Sequence, residues 1–365
     1  DPESPTFLQR CLLGHVSKDE PLVIELEGYN IFTSFAGELA GYYNCNKLTI
    51  EHRYFENSRP KKSIPWRTLT VDNAAHDHHL IIQAMHQIYP KSKFLTTGIS
   101  KGGQTTMLHR SKYPDDVDAS VCYVAPLNLE REDPRIYTFL DTVGTKAERE
   151  QVKNFQLLCF QRKPQLLPIL DSLGTANGWT WEMGIDLAYD YYVLEYSFAF
   201  WQWGTIRFSD IPDNSETNLG IMLHLLSCSG VSFFEEEGVD GNQPFFYAAL
   251  TEMGIYGYET DDFDQYTVEK GIYKFDFAFP EGYDTTFNNR DMLTVNDFIQ
   301  NEATNMMFIY GGKDTWSATA VQLAKGSENR NVFKYVLPDG HHGTRIKSFS
   351  RETKKEIWAI ISNWI

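Results

Sequence analysis

The chain has 365 residues, and its hydrophobic share of 42% and aromatic share of 14% are sufficient to bury a large core. This composition excludes a disordered protein. The formal net charge of −16 would repel a phosphate backbone, so we expect no nucleic-acid partner.

The first third of the chain alternates strand-like runs with a helical pattern. The runs are Phe7 to Val16, Pro21 to Glu27, Lys47 to Phe55, Lys93 to Ile99 and Ala119 to Ala125. Apolar residues keep a helical period from Asp72 to Tyr89, with Asp72 or Asn73 as the N-cap and Pro90 as the stop. Strand–helix–strand spacing of this kind predicts parallel strands with right-handed crossovers, and hence an α/β fold.

The middle of the chain, residues 128–300, is aromatic-rich and mostly helical in pattern. Strand signals return at Asn305 to Gly311 and at Asn331 to Leu337. We therefore predict a sheet domain built from residues 1–127 and 301–365, interrupted by a helical lid insertion over 128–300.

Neither the apolar runs of the chain nor its cysteines indicate a membrane or metal protein. No apolar run approaches the roughly 18 residues that span a bilayer, so we expect no membrane span. Residues 1–5 have the composition of a disordered leader left after removal of a targeting segment or tag, which leaves secretion open. The five cysteines are widely spaced, without a CxxC pair, and predict neither a disulfide scaffold nor a zinc site.

The strongest chemical signal is the segment Gly98 to Gly103 (GISKGG), which matches G-x-S-x-G. It follows a strand-like run and precedes the helix-compatible stretch Gln104 to Lys112. In this context the motif forms a strained turn that lifts the serine above the sheet, with the next backbone N–H facing an oxyanion hole. The pattern predicts an α/β-hydrolase with Ser100 as nucleophile and Lys101 N–H as an oxyanion donor.

A serine nucleophile needs a base and an orienting acid, in the chain order serine, acid, histidine. Asp314 follows the apolar strand 306–310, and the next strand is followed by His341 and His342. These positions predict Asp314 as the acid. The chemistry alone leaves either histidine as the base.

The predicted lid contains carboxylates in apolar surroundings. The segment Trp179 to Trp203 is so aromatic that it either packs in a core or lines a pocket, and we assign Trp201 to substrate binding. Glu195 and Glu252 need partners there, either a substrate ammonium or a structural salt bridge.

The histidines of segment 76–79 have the wrong spacing for a metal, and a polar helix start explains them better.

Three segments together resemble a known family. They are residues 26–30 (LEGYN), 51–60 (EHRYFENSRP) and 98–103. The chain is similar along nearly its whole length to the bacterial secreted tripeptidyl and prolyl aminopeptidases of serine peptidase family thirty-seven, distant relatives of lysosomal Pro-X carboxypeptidase and dipeptidyl peptidase II. The family pattern Asn-His-Gly aligns His341 with the asparagine, so the resemblance implies His342 as the base.

The resemblance implies hydrolysis of a peptide bond a few residues from a free N-terminus, often at proline, through an acyl-enzyme. It further implies a second oxyanion donor near Tyr54 or Phe55, peptide substrates, no cofactor, and a secreted or periplasmic location. Three alternatives stay open: a dipeptidyl or carboxypeptidase-like peptidase, an esterase of the same fold, and a non-catalytic binding protein. The lid segment Trp179 to Trp203 contains no Lys or Arg, which disfavours recognition of a substrate carboxylate.

Overall fold

The structure is a computed structural model that describes residues 6–32 and 37–365; the predicted leader over residues 1–5 lies outside the described residues. Seven strands form one sheet in the order β1-β3-β2-β4-β5-β8-β9. These strands are β1 (Cys11–Gly14), β2 (Leu22–Leu26), β3 (Asn46–Ile50), β4 (Phe94–Ile99), β5 (Ala119–Tyr123), β8 (Met306–Gly311) and β9 (Val332–Leu337). Only the β1–β3 pair in this sheet is antiparallel.

Two short strands, β6 (Tyr258–Glu259) and β7 (Ile272–Tyr273), form a separate antiparallel pair. The described α-helices are α1 (Glu38–Tyr43), α2 (Val71–Ile88), α3 (Lys101–Lys112), α4 (Arg135–Leu140), α5 (Lys146–Gln161), α6 (Lys163–Asn177), α7 (Ile185–Trp203), α8 (Asn218–Ser229), α9 (Glu236–Ala248), α10 (Arg290–Asn301) and α11 (Arg351–Ser362). A π-helical turn, Ala249–Met253, continues α9. None of the helices in the described part of the chain has the length and apolar content needed to cross a bilayer.

Helices cover both faces of the sheet, which explains why the central strands β4, β5 and β8 are buried along almost their whole length. On one face α3 and α10 pack on Cys122 and Phe308, and on the other α11 packs on Val121 and Ile309. Because the strands are parallel, their carboxyl ends lie at one edge of the sheet. The loops that follow β2, β4, β8 and β9 therefore meet there.

The N-cap of helix α2 lies two residues before the nearer of the two predicted caps. Its N-cap is Thr70, whose hydroxyl accepts a hydrogen bond from the Asn73 N–H at 3.2 Å, so the predicted caps Asp72 and Asn73 lie inside the first turn. A threonine in extended backbone can cap as well as an aspartate, and the sequence pattern did not distinguish them.

Between β5 and β8 the chain forms helices α4 to α10. The aromatic and aliphatic side chains of α4 to α9 build the largest buried cluster of the described residues, centred on α7, whereas α10 packs on the sheet. Thirteen residues of α7 are buried, so this helix is enclosed on nearly all sides.

The division of the chain at residues 127 and 300 stays a prediction. All five cysteines are free thiols, and only Cys11 is exposed.

Candidate active site

Ser100 lies at the carboxyl end of β4 and immediately before α3. Its backbone has φ 57° and ψ −123°, a conformation that a non-glycine residue adopts only when the surroundings enforce it. Its N–H donates to Tyr123 O at 2.8 Å, which ties the turn to β5. Gly98 permits the turn, because a Cβ there would lie 2.1 Å from Gly102 O. The local structure is the sharp strand-to-helix turn of a serine nucleophile.

Asp314 and His342 form a buried pair at the same edge of the sheet. Nδ1 of His342 lies 2.7 Å from Oδ2 of Asp314. Asp314 is fully buried and His342 is 5% exposed, so the pair is shielded from water. The second oxygen of Asp314 accepts the Trp316 N–H at 3.1 Å, which fixes the carboxylate plane. This arrangement orients the histidine ring and leaves its Nε2 for proton transfer.

His341 contacts the lid instead of Asp314. Its Nδ1 lies 2.8 Å from Trp201 O, at the C-terminal end of α7. The backbone N–H of His342 donates to Gln202 O at 2.8 Å in the same turn. The histidine loop is therefore fastened to the end of α7, and the two adjacent histidines point to different partners.

Ser100 is not hydrogen-bonded to the histidine. The Ser100 hydroxyl makes no hydrogen bond to any other residue in the described part of the chain. All three residues, Ser100, Asp314 and His342, nevertheless follow the carboxyl ends of parallel strands. Hydrogen bonds between nucleophile and base are often loose before substrate binds. The structure thus joins the acid to the base and brings the serine to the same edge.

The Lys101 N–H opens α3 and has no partner within the helix, as expected of an oxyanion donor. The prediction for Tyr54 is wrong, because its N–H already donates to Ser58 O at 3.1 Å. Its ring is buried in a small cluster with Trp66 and Tyr247. The loop that reaches the nucleophile turn follows β2 instead: a Cβ on Gly28 would lie 2.6 Å from Gly102 N.

Glu195 lies on α7 and is 6% exposed. The hydroxyls of Tyr256 and Tyr258 donate to its Oε2 at 3.0 and 2.5 Å. Its Oε1 accepts no hydrogen bond from another described residue. Burial raises the pKa of Glu195 to about 8, while the two tyrosine hydrogen bonds oppose this shift. A cation placed at Oε1 would favour the ionised form.

Glu252 does not fit amine binding, because a backbone group already uses its carboxylate. Its Oε2 accepts the N–H of Val71 at 2.8 Å, in the first turn of α2. Burial raises the pKa of Glu252 to about 7, and this hydrogen bond partly opposes the shift. Glu252 therefore lies in the lid and caps α2 of the sheet domain. This structural contact accounts for a carboxylate in apolar surroundings, and no substrate is needed to explain it.

The assignment of Trp201 to substrate binding is also wrong. Its side chain is 2% exposed and packs against Phe208 inside the lid. Trp203, two residues later, is 51% exposed and lies edge-on to the His342 ring at 5.4 Å between centroids. Successive residues of a helix are about 100° apart, so a side chain two positions further along α7 points away from the buried face and lies beside His342.

The histidines of segment 76–79 do not form a metal site. No group of three or more His, Cys, Asp or Glu side chains within residues 6–32 and 37–365 has metal-binding geometry. His79 pairs with Asp116 at 2.8 Å, and His76 contacts the Tyr113 hydroxyl at 3.0 Å. His78 is buried between α2 and α3, which a polar helix start does not explain.

The sheet order, the nucleophile turn and the buried acid–histidine pair define a serine hydrolase with the α/β-hydrolase fold. The solved structure of VinJ is similar over 98% of this chain and 97% of that one, with a TM-score of 0.50 and 12% identity, which supports the fold alone. The chain belongs to peptidase family S37, since the family model described as PS-10 peptidase S37 matches residues 1–365.

A prolyl tri/tetrapeptidyl aminopeptidase of Streptomyces mobaraensis is 29% identical over 369 residues, which cover 100% of this chain and 77% of that protein. The predicted fold class, family and serine peptidase chemistry are thereby confirmed.

Proposed function

We propose that this protein is a tripeptidyl aminopeptidase that cleaves after the third residue of a peptide with a free N-terminus, with a preference for proline at the cut. Ser100 is the nucleophile, His342 the general base and Asp314 the residue that orients it. The name of the Streptomyces mobaraensis relative supports this substrate class. The position of Glu195 in the lid carries the proposal.

Glu195 and Trp203 lie on the same helix, eight positions apart. At a rise of about 1.5 Å per residue they are separated by about 12 Å along the axis of α7. Trp203 contacts the histidine of the acid–histidine pair. Three extended residues span about 10 Å. A peptide whose ammonium binds Glu195 would thus present its third or fourth residue at the catalytic centre, whereas a dipeptide would fall short.

The surroundings of Glu195 suit an ammonium group. Two tyrosine hydroxyls hold Oε2 and leave Oε1 for a substrate donor. Tyr256 also stacks on Phe198 at 3.7 Å and meets Trp316 edge-on at 5.3 Å, so the anchor is linked by packed rings to the loop that carries Asp314. In such apolar surroundings an ion pair is screened little by water.

The reaction then follows from the groups at the sheet edge. His342 removes the proton of Ser100, whose Oγ attacks the carbonyl carbon of the third residue. Backbone N–H groups, including that of Lys101, stabilise the oxyanion. His342⁺ protonates the leaving amine, and the tripeptide stays bound as an ester. A water molecule, deprotonated by the same histidine, releases it.

Trp203 provides an apolar surface for the residue at the cut. Its indole is half exposed and borders His342. Proline presents a flat, rigid ring with no N–H, which packs on an aromatic face at little conformational cost. We therefore expect Trp203→Ala to reduce the preference for proline over alanine at the cut while the rate on alanine substrates changes little.

The test uses one peptide sequence with a free or an acetylated N-terminus, and mass spectrometry of the released fragments. The parent enzyme should release tripeptides from the free form and cleave the acetylated form at least about tenfold less efficiently, because a buried charge contact of this kind is worth about 2–5 kcal/mol. Glu195→Gln should raise KM for the free peptide strongly.

The matched control is Glu259→Gln, an exposed carboxylate beside Tyr258 in the same lid, which should leave KM unchanged. Equal cleavage of both forms of the peptide by the parent enzyme would overturn the aminopeptidase proposal in favour of an endopeptidase or esterase. Release of dipeptides would favour the dipeptidyl alternative.

We propose that the protein acts outside the cytoplasm, in line with the secreted aminopeptidases that its sequence resembles. Fractionation of the source cells, followed by assay of tripeptide release in each fraction, tests this location. Activity confined to the cytoplasmic fraction would contradict it.

A further inference from the structure

Lys101 is a buried lysine directly after the nucleophile. Its side chain is 2% exposed, and its Nζ donates to Gly28 O at 2.7 Å. The cation also lies over the rings of Tyr29 and Phe55, 5.6 and 5.5 Å from their centroids. No carboxylate among the described residues forms a salt bridge with it.

A buried ammonium without a carboxylate partner is costly. Taking the charge out of water favours the neutral amine, and burial lowers the pKa of Lys101 to about 7. An apolar side chain of the same length would fill the space without this penalty. The contact that the lysine does make, to the Gly28 carbonyl, therefore needs an explanation beyond packing.

The loop held by Lys101 follows β2, and β2 is the neighbour of β4 in the sheet. It runs so close to the nucleophile helix that a Cβ on Gly28 would lie 2.6 Å from both Gly102 N and Lys101 Cβ. The backbone N–H groups of residues 28–30 donate to no other described residue. Free N–H groups beside the serine turn are what a second oxyanion donor requires.

We propose that Lys101 is a positioning residue whose side chain holds the loop after β2 in place, so that a backbone N–H of this loop completes the oxyanion hole. One residue then serves both halves of the hole: its own N–H is one donor, and its ammonium fixes the loop that supplies the other. This inference rests on the proposed serine chemistry but not on the choice of peptide substrate.

The positioning depends on pH, because a neutral amine is a weaker donor and loses its attraction to the aromatic rings. The titratable groups that face Lys101 are His52 after β3, His78 on α2, Tyr29 on the loop, and Arg53. Burial, as the largest cause, holds the pKa of His52 and of His78 well below 6.5, and burial raises that of Tyr29.

The fourth group, Arg53, is ion-paired with Asp77 at 2.6 Å. Among the lysine, the two histidines and Tyr29, Lys101 is the group whose pKa burial brings to about 7. We expect kcat to fall on the alkaline side as this lysine loses its proton.

The experiment measures the rate of covalent labelling by a fluorophosphonate, together with kcat and KM for a tetrapeptide substrate, from pH 5 to 10. A fluorophosphonate places an oxygen in the oxyanion hole without needing the lid anchor. Lys101→Met should slow labelling and kcat by about 10²–10³-fold, the loss typical of one oxyanion donor, with KM changed little. The alkaline fall seen in the parent enzyme should disappear.

Lys112→Met, at the far end of α3, is the control and should leave both rates unchanged. Lys101→Arg keeps the charge at every pH tested, so it should retain more labelling than the methionine variant and show no alkaline fall below pH 10. If the methionine variant does not fold, the pH dependence of Lys101→Arg still tests the inference.

Unchanged labelling in Lys101→Met, or an alkaline fall that persists in Lys101→Arg, would overturn the inference. Normal labelling kinetics in the parent enzyme without tripeptide release would instead refute only the proposed function.

Discussion

Asp314 provides the clearest test of the catalytic residues, because its carboxylate contacts His342 but not the substrate. Asp314→Asn keeps the side-chain shape and the acceptor for the Trp316 N–H, but favours the wrong histidine tautomer. We expect kcat to fall by about 10⁴-fold. Steady-state kinetics on a tetrapeptide substrate, with Ser100→Ala as the zero-activity reference, measure this loss. A fall of less than tenfold would mean that another acid orients the histidine.

Glu195 should release a proton when a cationic peptide binds. With a pKa of about 8 in the free enzyme, its carboxyl is mostly protonated at pH 7. An ammonium at Oε1 lowers the pKa, so binding expels a proton to the buffer. Calorimetry of a peptide binding to Ser100→Ala in buffers of different ionisation enthalpy should show up to about one proton released per site at pH 7.

The release in this calorimetric test should vanish in Glu195→Gln and for the acetylated peptide. Equal binding heats in all buffers would contradict an ionised Glu195–ammonium pair.

Local signals were sufficient to predict the sharp turn at Ser100 and the place of Asp314 after a buried strand, since each depends on its own strand, turn and flanking glycines. Local signals were insufficient to tell which of Trp201 and Trp203 is buried. A strongly aromatic helix such as α7 has no polar face that marks its orientation, so Trp201 and Trp203 look alike in the sequence although one is buried and the other borders His342. Only packing of the whole lid distinguishes them.

At the scale of elements, the error over Tyr54 has a topological cause. The resemblance implied a donor from the loop after β3, but the sheet order places β2 between β3 and β4. The loop after β2 is therefore the one that approaches Ser100. Glu252 was misassigned for a similar reason, because the helix it caps lies 181 positions earlier in the chain. Neither relationship can be read from neighbouring residues.

The interface of α2 with α3 should make the protein sensitive to acid. His78 is buried, and neither ring nitrogen has a partner among the described residues. Burial, with His109, Arg53 and Lys101 nearby, holds the pKa of His78 well below 6.5. Below about pH 6.5 the unfolded chain therefore binds a proton at His78 that the folded protein does not bind. The free energy of unfolding then falls as the pH falls, by up to about 1.4 kcal/mol per pH unit for this group.

His78→Leu should remove this contribution. The free energy of unfolding of the variant minus that of the parent, from urea titrations at pH 7 to 5, should rise as the pH falls. Taking the difference cancels the carboxyl groups with raised pKa, such as Glu195, which act in the opposite direction. A difference that does not change with pH would show that His78 is not the acid-sensitive group.

At the scale of the whole molecule, the lid and the sheet domain share their interior. Phe55 of the sheet domain belongs to the same buried cluster as α7, and the Thr315 hydroxyl donates to Phe198 O at 2.9 Å. We therefore expect one cooperative unfolding transition, detected at the same urea concentration by tryptophan fluorescence and by far-ultraviolet circular dichroism. Separate midpoints for the two signals would indicate that the lid unfolds on its own.

The hydrogen bonds from the two histidines to the last turn of α7 have a consequence for protein engineering. A lid that touches its sheet domain only through side chains could be exchanged for another to change specificity. Here the backbone oxygens of Trp201 and Gln202 hold the loop that carries His342, the proposed general base. A chimera with a foreign lid would need a matching histidine loop as well, because the end of the lid helix α7 and the position of His342 depend on each other.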